Sequence, residues 1–403
     1  MKSAAPENQT VFLIGSRTGG PLIPLLGVKD ELLAVRPELE FVIVGVRGGF
    51  EEKVAASEGL ELFFLPEVKG RPSISRYGSS PPLKLLGLVS LPFSLGLLGA
   101  RLSFSVLKSL YLIRRFRPAL ILSMSNFLSV PVIWAGALYN ILRGWRNRFR
   151  KDKRSPVRIA LHQLDIENFT VRLAGRFVDL RTGGFEEIRA QAPDRVQLIP
   201  NPVRYRRFDE LDKKKALAAL KKERLLPEGS SRKPLLLVFG GGSGALFINR
   251  WLRKHVHELA DRFRILHLTG FLQEESFSFP ELKDYLGIPG LTDLMPAALT
   301  LADVVLSRAG MSTISELLYL RKNAYLIPIP GGHQEKNAEA TAAFFQTLEQ
   351  KDVNDWANRI IADSEGGFQR FKKVKWSYFT AKNKYAYRDL LLEMLETAEK
   401  TAR

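Results

Sequence analysis

The stretch Val238–Asn249, VFGGGSGALFIN, follows a run of leucines and indicates a buried strand that turns through glycines into a helix. Glycines at such a turn let backbone N–H groups approach a negatively charged ligand, and the N-terminus of the next helix adds a partial positive charge. The usual ligand is a phosphate. Gly240-x-Gly242-x-x-Ala245 also fits a loose form of the dinucleotide fingerprint, which many strand-to-helix turns share. The stretch therefore predicts an anion site in an α/β domain.

The same order of strands and helices occurs twice along the chain. VFLIG, FVIVGV and LELFFLP alternate with helices in the first half, and LLLVFG, RILHLTG, DVVLS and AYLIPI do so after residue 230. We predict two Rossmann-like, doubly wound α/β domains facing across a cleft. Residues 1–205 would form the first and 206–403 the second, with a hinge near Tyr205. Within the second, 206–233 read as a linker plus a helix, and the last helix could return to the first domain.

Composition limits the chemistry. With 403 residues, the chain is long enough for two domains of about 150 to 200 residues each. It has no cysteine, which excludes disulfides and thiolate metal sites and suits a reducing cytosol, and only five histidines. We therefore expect neither a metal nor a cofactor. The N-terminal MKSAAPENQTVFLIGS lacks the charge and apolar pattern of a signal peptide, so we expect the chain to stay inside the cell.

The ends of the second strands disfavour dinucleotide chemistry. An NAD site needs an acidic residue about 20 residues after the glycine turn to hold the ribose hydroxyls. RILHLTG ends in Thr269-Gly270, whereas FVIVGV is followed by Arg47. Arg47 could meet an NADP phosphate, but the first turn, GSRTGG, lacks the fingerprint.

The charge distribution predicts an anionic partner. Sixty Lys and Arg against 42 Asp and Glu give a formal charge of +18. Residues 85–100 carry no charge but are too short and too rich in Gly and Pro for a membrane-spanning helix, so a helix in the membrane interface or a core helix remain open. Residues 143–158 place eight Lys or Arg around Trp145 and Phe149. This favours an anionic lipid surface over a solvated loop or nucleic acid, for which no motif is present.

The C-terminal half resembles a known family. GGGSGALFIN, LTDLMPAALTLADVVLSRAGMSTISELLYL and HQEKNA occur in the order and spacing of the GT-B glycosyltransferases that add N-acetylglucosamine from UDP-GlcNAc to lipid I (the MurG family). In the first half, the TGG turn, the G-x-x-x-G-x-E stretch of Gly45–Glu51 and NPVR at residues 201–204 extend the resemblance over nearly the whole chain. The resemblance implies a metal-independent GT-B transferase.

The resemblance implies roles for matched residues. Arg204 and the Leu291-Thr292 loop would border the uracil, and Gly310, Ser312 and Thr313 would open a helix whose N–H groups bind the diphosphate. Glu316 would bind the ribose, although Thr313-x-x-Glu316 also has the spacing of a capping box. The other implied donor-side residues are Gly242, Ser243, Gly244, Met295, His333, Gln334 and Asn337. The implied acceptor-side residues are Thr18, Gly19, Gly20 and Asn126.

The first half departs from the family pattern where a base is needed. Pro21 stands where the family's GGTGGH has histidine, and the family's HEQN is His162-Gln163-Leu164-Asp165. Inverting transfer requires a base that deprotonates the acceptor hydroxyl. We predict Asp165 or His162 in this role, against the alternative that both only order the loop after strand VRIALH.

The favoured function is transfer of GlcNAc to lipid I, a polyprenyl-pyrophosphate-linked acceptor, by an enzyme that lies peripherally on the anionic inner leaflet. Two alternatives remain. A different membrane lipid acceptor would explain why the departures cluster in the first half. A non-catalytic binding or scaffold protein would explain the loss of the turn histidine, although a scaffold does not need residues that read a sugar.

Overall fold

The computed structural model describes residues 9–67, 81–149, 155–229, 232–242, 244–271, 277–368, 378–380 and 383–402. The first half builds a seven-stranded parallel sheet in the order β3-β2-β1-β4-β5-β6-β7. Its strands are β1 (Thr10–Ile14), β2 (Glu40–Gly45), β3 (Glu61–Phe64), β4 (Leu120–Ser123), β5 (Arg158–Gln163), β6 (Leu180–Gly183) and β7 (Gln197–Leu198). The connecting helices are α1 (Gly19–Leu33), α2 (Phe50–Glu58), α3 (Pro81–Phe116), α4 (Ser129–Phe149), α5 (Phe169–Ala174) and α6 (Glu186–Ala190).

The second half builds a six-stranded parallel sheet in the order β10-β9-β8-β11-β12-β13. Its strands are β8 (Leu235–Phe239), β9 (Arg264–Leu268), β10 (Tyr285–Ile288), β11 (Val304–Arg308), β12 (Asn323–Ile327) and β13 (Gln346–Thr347). Its helices are α9 (Leu246–Ala260), α10 (Met295–Leu301), α11 (Met311–Leu320), α12 (His333–Ala340) and α13 (Trp356–Glu365). In each half, the chain enters the sheet at an inner strand, β1 or β8, and adds strands toward one edge. It then returns to the other side of that inner strand and adds strands toward the opposite edge, which is the doubly wound arrangement.

Continuous apolar runs account for the central strands. Every residue of β1 and β8 is buried, because helices cover both faces of a parallel sheet. One face of each sheet packs into a shared core cluster that contains Leu13 and Leu237, while the opposite faces form separate clusters around Phe12 and Val238. The shared cluster fixes the two sheets against each other.

Three segments connect the halves. Helices α7 (Tyr205–Asp209) and α8 (Lys213–Lys222) follow the NPVR segment. Asp212 is the N-cap residue of α8, and its side chain accepts a 2.7 Å hydrogen bond from the Lys215 N–H. The final helix, α14 (Ala386–Ala402), packs against α1 and β5 of the first half. Arg36 in the first half pairs with Glu399 at 2.7 Å.

The uncharged stretch 85–100 lies within the long helix α3, which packs against α4. Side chains of 81–95 lie outside the described set, as do residues 150–154 of the basic stretch. Within α3, Gly96–Phe116 is long and apolar enough to cross a membrane by length and composition, and 28% of its most apolar window is buried. Most of that window is therefore not buried.

The predicted fold class is confirmed: two parallel α/β sheets enclose a cleft. Strands β4, β6, β7, β10 and β13 were not predicted from the sequence. β10 contains Gly287 and is followed by a proline, and β7 and β13 have only two residues each, so these three lack the apolar run that marks an inner strand.

Candidate active site

A cleft of about 680 Å³ lies between the two sheets. We call it the interdomain cleft. Its walls are the loops that follow the carboxyl ends of strands in both halves, namely those after β1, β4 and β5 on one side and those after β8, β10, β11 and β12 on the other. Ligands of doubly wound sheets bind at these strand ends. The topology therefore brings two sets of loops to one site.

The glycine turn after β8 forms part of the donor-side wall. Gly240, Gly241 and Gly242 line the cleft, and Gly241 has a positive φ of 90° that favours glycine. A Cβ on Gly240 would lie 2.2 Å from the Cβ of Ala245, so only glycine fits there. Gly244 also has a positive φ but does not line the cleft, and Ser243 lies outside the described residues.

Helix α11 opens into the cleft. Gly310 is its N-cap residue and forms no side-chain cap, while Met311, Ser312 and Thr313 form the first turn and line the cleft. The first N–H groups of a helix have no partner within it and carry the positive end of the helix dipole. This wall can therefore bind an anion such as a diphosphate.

Glu316 forms a buried ion pair instead of a capping box. The helix begins at Met311, so Thr313 is not the cap that this alternative required. Arg204 Nε and Nη2 lie 2.9 and 2.7 Å from Glu316 Oε1, and both residues are about 95% buried or more. Because both nitrogens contact the same oxygen, Oε2 is not used by this pair. The pair joins the NPVR segment to α11 at the cleft wall.

The turn after β1 lies opposite. Thr18 is the N-cap of α1, and Gly19, Gly20 and Pro21 form its first turn at the cleft wall. The fully buried Glu51 accepts a 2.5 Å hydrogen bond from the Arg17 N–H, and burial raises the pKa of its carboxyl group. A Cβ on the glycines at 15, 45 or 49 would approach Glu51 within 2.9 Å, so the G-x-x-x-G-x-E stretch makes room for this carboxyl group.

Asn126 lies at the cleft wall, but its side-chain amide forms hydrogen bonds with the backbone. Its Nδ2 donates to Ile14 O at 2.9 Å, and its Oδ1 accepts from Ser129 N at 3.1 Å at the start of α4. Ser125 beside it has a positive φ of 51°. These bonds fix the wall formed by the loop after β4.

Asp165 lies in the loop after β5 and faces the cleft. The amide of Asn337, on α12 of the other half, donates to Asp165 Oδ1 at 2.8 Å, and His333 Nε2 lies 3.9 Å from the same oxygen. Gln163 Nε2 donates at 3.1 Å to the carbonyls of Asp165 and Ile166. The loop is therefore held from both halves of the chain with its carboxylate at the cleft.

His162 is not brought to the cleft. It is fully buried, and its Nδ1 and Nε2 lie 2.8 Å from Thr182 Oγ1 and Asn201 Oδ1. Because an amide oxygen only accepts, Nε2 carries the proton and Nδ1 accepts from the threonine hydroxyl. Burial lowers the pKa of His162 to about 4. Of the two predicted bases, only Asp165 lines the cleft.

The hydrogen bonds of His162 continue into the other half. Asn201 Nδ2 donates to Ser315 Oγ at 3.0 Å, and Ser315 Oγ donates to Met311 O at 2.7 Å. We call Thr182, His162, Asn201 and Ser315 the buried polar chain. It links β5 and β6 to α11, the helix whose N-terminus forms the anion-binding wall.

The structure adds residues to which the sequence assigned no role. Arg308 lines the cleft at the end of β11, and its Nη1 donates to the carbonyls of Ile327 and Pro328 at 3.2 and 3.3 Å. It lies within the quoted stretch DVVLSRAGM, where an arginine directly after a buried strand was the available signal. Phe50 and Phe271 also line the cleft, and Lys53 Nζ lies 3.7 Å from the Phe271 ring centre, joining the halves by a cation–π contact.

The predicted residues therefore divide into three groups. Those in the cleft wall are Thr18, Gly19, Gly20, Asn126, Asp165, Arg204, Gly242, Leu291, Thr292, Met295, Gly310, Ser312, Thr313, Glu316, His333 and Gln334. Those described away from it are His162, Gly244 and the fully buried Asn337. Ser243 is outside the described residues. In the described part of the chain, no three His, Asp or Glu side chains are grouped as metal ligands.

Comparisons with known proteins define the class. Residues 235–352 match the glycosyltransferase family 28 C-terminal domain. Over 97% of the chain, the fold is similar to the calicheamicin glycosyltransferase CalG4, with a TM-score of 0.61 and 12% identity. The UDP-GlcNAc 2-epimerase from Neisseria meningitidis has a TM-score of 0.59 at 11% identity, so this fold is not confined to transferases. The chain therefore has a GT-B fold, and its second half contains a domain that matches a glycosyltransferase family.

The relatives narrow the class. The chain is 29% identical over 360 residues to the UDP-N-acetylglucosamine–N-acetylmuramyl-(pentapeptide) pyrophosphoryl-undecaprenol N-acetylglucosamine transferase of Anaeromyxobacter dehalogenans, covering 85% of this chain and 81% of that one. Its identity to the Listeria monocytogenes protein of the same name is 28% over 340 residues, covering 82% of each. MurG from Acinetobacter baumannii has a TM-score of 0.58 at 14% identity, covering 96% of this chain and all of that one. The resemblance predicted from the motifs is confirmed.

Proposed function

We propose that the chain transfers N-acetylglucosamine from UDP-GlcNAc to lipid I with inversion at the anomeric carbon, forming the peptidoglycan precursor lipid II. The observation that supports this most directly is the placement of the α11 N-terminus and the Asp165 carboxylate in walls of the same cleft. An inverting transfer needs an anion site for the leaving group and a base for the attacking hydroxyl. The names of the relatives supply the donor and acceptor.

The donor would occupy the second half of the chain. Its diphosphate would contact the N–H groups at the start of α11, with Arg308 in the same wall as an additional positive charge. The ribose hydroxyls would bind to Glu316 Oε2, since Oε1 is used by Arg204. The uracil would lie along Leu291, Thr292 and Arg204, and His333 and Gln334 would contact the sugar.

The acceptor would enter between the turn after β1 and the loop after β5. Asp165 would remove the proton from the acceptor hydroxyl as that oxygen bonds to the anomeric carbon from the face opposite UDP. The bond between the anomeric carbon and the phosphate oxygen breaks, and its electron pair leaves with UDP. The amides at α11 would stabilise the charge that develops on that oxygen.

The proposed membrane contact lies on α3 and α4. Leu107 and Tyr111 on α3 and Trp145 on α4 are exposed, the indole at 71%. Arg101 and Arg146 on the same two helices are exposed cations. An apolar helix surface with cations beside it binds the boundary of an anionic leaflet. This surface would hold the enzyme peripherally beside an acceptor with a polyprenyl chain.

Purified protein in detergent provides the test. Calorimetry with UDP-GlcNAc measures donor binding, and radiolabelled UDP-GlcNAc with lipid I measures transfer and UDP release. We expect binding, and transfer that depends on lipid I. Binding without transfer to lipid I, but with transfer to another polyprenyl-linked lipid, would replace the acceptor. Absence of donor binding would overturn the proposal.

Asp165→Asn tests the base because it preserves the side-chain shape and can still accept from Asn337. We expect donor affinity within about twofold of the unmodified protein and a transfer rate reduced by about 10²- to 10⁴-fold. Asp293→Asn is a matched control, because Asp293 follows Thr292 but is 63% exposed and does not line the cleft. An Asp165→Asn variant that transfers at the rate of this control would exclude Asp165 as the base.

A further inference from the structure

Asn337 makes three hydrogen bonds, two of which cross between the halves of the chain. Its Nδ2 donates to Asp165 Oδ1 at 2.8 Å and to Ala309 O at 3.2 Å, and its Oδ1 accepts from Ile166 N at 3.2 Å. Both N–H groups of the amide are therefore used, and its oxygen is engaged. A sugar hydroxyl would have to displace one of these bonds to be read by Asn337.

Burial supports the same conclusion. Asn337 is fully buried and does not line the cleft, whereas Gln334, one turn earlier on α12, does. The two residues lie on one short helix but face different surroundings. The side-chain amide of Gln334 therefore lines the cleft, whereas that of Asn337 contacts the loop of Asp165.

The hydrogen bond from Asn337 to Asp165 matters because its acceptor is a carboxylate. A hydrogen bond from an amide to a carboxylate is shorter and stronger than one between neutral groups. The bond holds one carboxylate oxygen, Oδ1, and leaves Oδ2 for a proton. The hydrogen-bond donor, Asn337, lies on α12. The bond that orients the carboxylate therefore forms only when α12 is docked against the loop after β5.

We propose that Asn337 is a positioning residue that orients Asp165 from across the domain interface, so that docking of α12 completes the proton acceptor. This inference rests on the proposed function, since it assigns Asp165 a proton. It places Asn337 outside sugar recognition. Its consequence is that loss of the amide lowers the rate of transfer at saturating donor without an equal loss of donor affinity.

The experiment compares Asn337→Ala with Gln334→Ala. Donor affinity is measured by calorimetry, and the rate of the chemical step by single-turnover transfer at saturating UDP-GlcNAc and lipid I. We expect Gln334→Ala to weaken donor binding by at least about tenfold. For Asn337→Ala we expect affinity within about threefold and a single-turnover rate reduced by at least about 30-fold. An Asn337→Ala variant that binds donor as weakly as Gln334→Ala and turns over normally when saturated would overturn the proposal.

Asn337→Asp keeps the test decisive if the alanine variant fails to fold. It preserves the side-chain shape and an acceptor for Ile166 N, but places a second carboxylate beside Asp165. The charged or titratable residues on the neighbouring segments are Glu167, Arg308, His333, Glu335 and Lys336. These are unchanged in the variant, so the new carboxylate is the added perturbation.

Like charges at this distance disfavour the ionised base, so we expect the acid limb of the single-turnover pH profile to move to higher pH by at least about one pH unit. A structural role alone would lower the rate equally at every pH, and a profile of unchanged shape would refute the positioning role. If the unmodified protein shows no transfer to any lipid acceptor, the proposed function fails instead, which the unmodified profile reports separately.

Discussion

Replacing His162 with alanine separates two roles for a residue that the sequence placed among the candidate bases. The structure instead buries the imidazole within the buried polar chain, where Thr182 donates to it and it donates to Asn201. A buried hydrogen-bonding residue contributes mainly to stability, whereas a base contributes mainly to rate. The two roles predict opposite patterns in unfolding and transfer measurements.

The magnitude follows from what the variant leaves behind. His162→Ala removes the imidazole partner of Thr182 Oγ1 and of Asn201 Oδ1 and creates a cavity beside Tyr387, whose ring centre lies 5.2 Å from the imidazole. Each orphaned atom costs about 1 to 3 kcal/mol, and the cavity adds to this. We expect the free energy of unfolding at pH 7.5 to fall by about 3 to 5 kcal/mol.

The pH dependence provides an independent signature. Burial lowers the pKa of His162 from 6.5 to about 4, so the unfolded chain takes up a proton before the folded one does. The stability contributed by His162 is therefore complete above pH 6.5 and is lost as the pH falls toward 4, at about 1.4 kcal/mol per pH unit. The variant lacks this loss. Its stability deficit should narrow by about 2 to 3 kcal/mol between pH 7.5 and 4.5.

Urea unfolding followed by tryptophan fluorescence at several pH values measures both quantities. His257→Ala is the control, since that side chain is 64% exposed on α9 and its loss should change stability by less than about 0.5 kcal/mol. A His162→Ala variant as stable as this control but with transfer reduced more than 100-fold would refute the structural role. A stability deficit that is constant with pH would refute the claim that the folded state holds the imidazole neutral.

Three further perturbations follow from the structure. Arg204→Met leaves the buried Glu316 carboxylate without its cation and should lower the free energy of unfolding by about 3 to 5 kcal/mol in urea, while replacing both residues with Met should cost much less. Gly27→Ala places a Cβ 2.3 Å from a backbone oxygen of the NPVR segment and should lower the melting temperature, whereas Gly96→Ala, with nothing within 4 Å, should raise stability by about 0.5 to 1 kcal/mol. Trp145→Glu should reduce binding to vesicles containing anionic lipid at least several-fold in a sedimentation assay, with little change in donor affinity.

The donor side was the more predictable part of the site. Val238–Asn249 and the α11 segment each combine a buried strand, small residues and a helix start, and these local patterns determine where Gly242 and Ser312 lie. A strand-to-helix turn places its own residues at the carboxyl edge of the sheet. Their position at the cleft therefore follows from the sequence within each turn.

On the acceptor side, the positions of the predicted residues could not be worked out from the local sequence. His162 and Asp165 lie close together in sequence, yet one is inside the sheet and the other faces the cleft. His162 belongs to the buried strand β5, whereas Asp165 lies in the loop that follows it, and the partners that fix the two residues are Asn201 and Asn337, far away in the chain. The roles of His162 and Asn337 depend on those distant contacts, which spacing alone does not reveal.

Several contacts between the two halves reach one of two helices, α11 or α12. Arg204 and the buried polar chain both reach α11, through Glu316 and Ser315, and the loop of Asp165 reaches α12 through Asn337. These two helices begin at the cleft, at the positions proposed for the diphosphate and the sugar. The contacts that set the angle between the domains therefore also set where the leaving group lies relative to the base. Since transfer requires both groups within reach of one anomeric carbon, changes at the hinge should alter the rate even where they touch neither substrate.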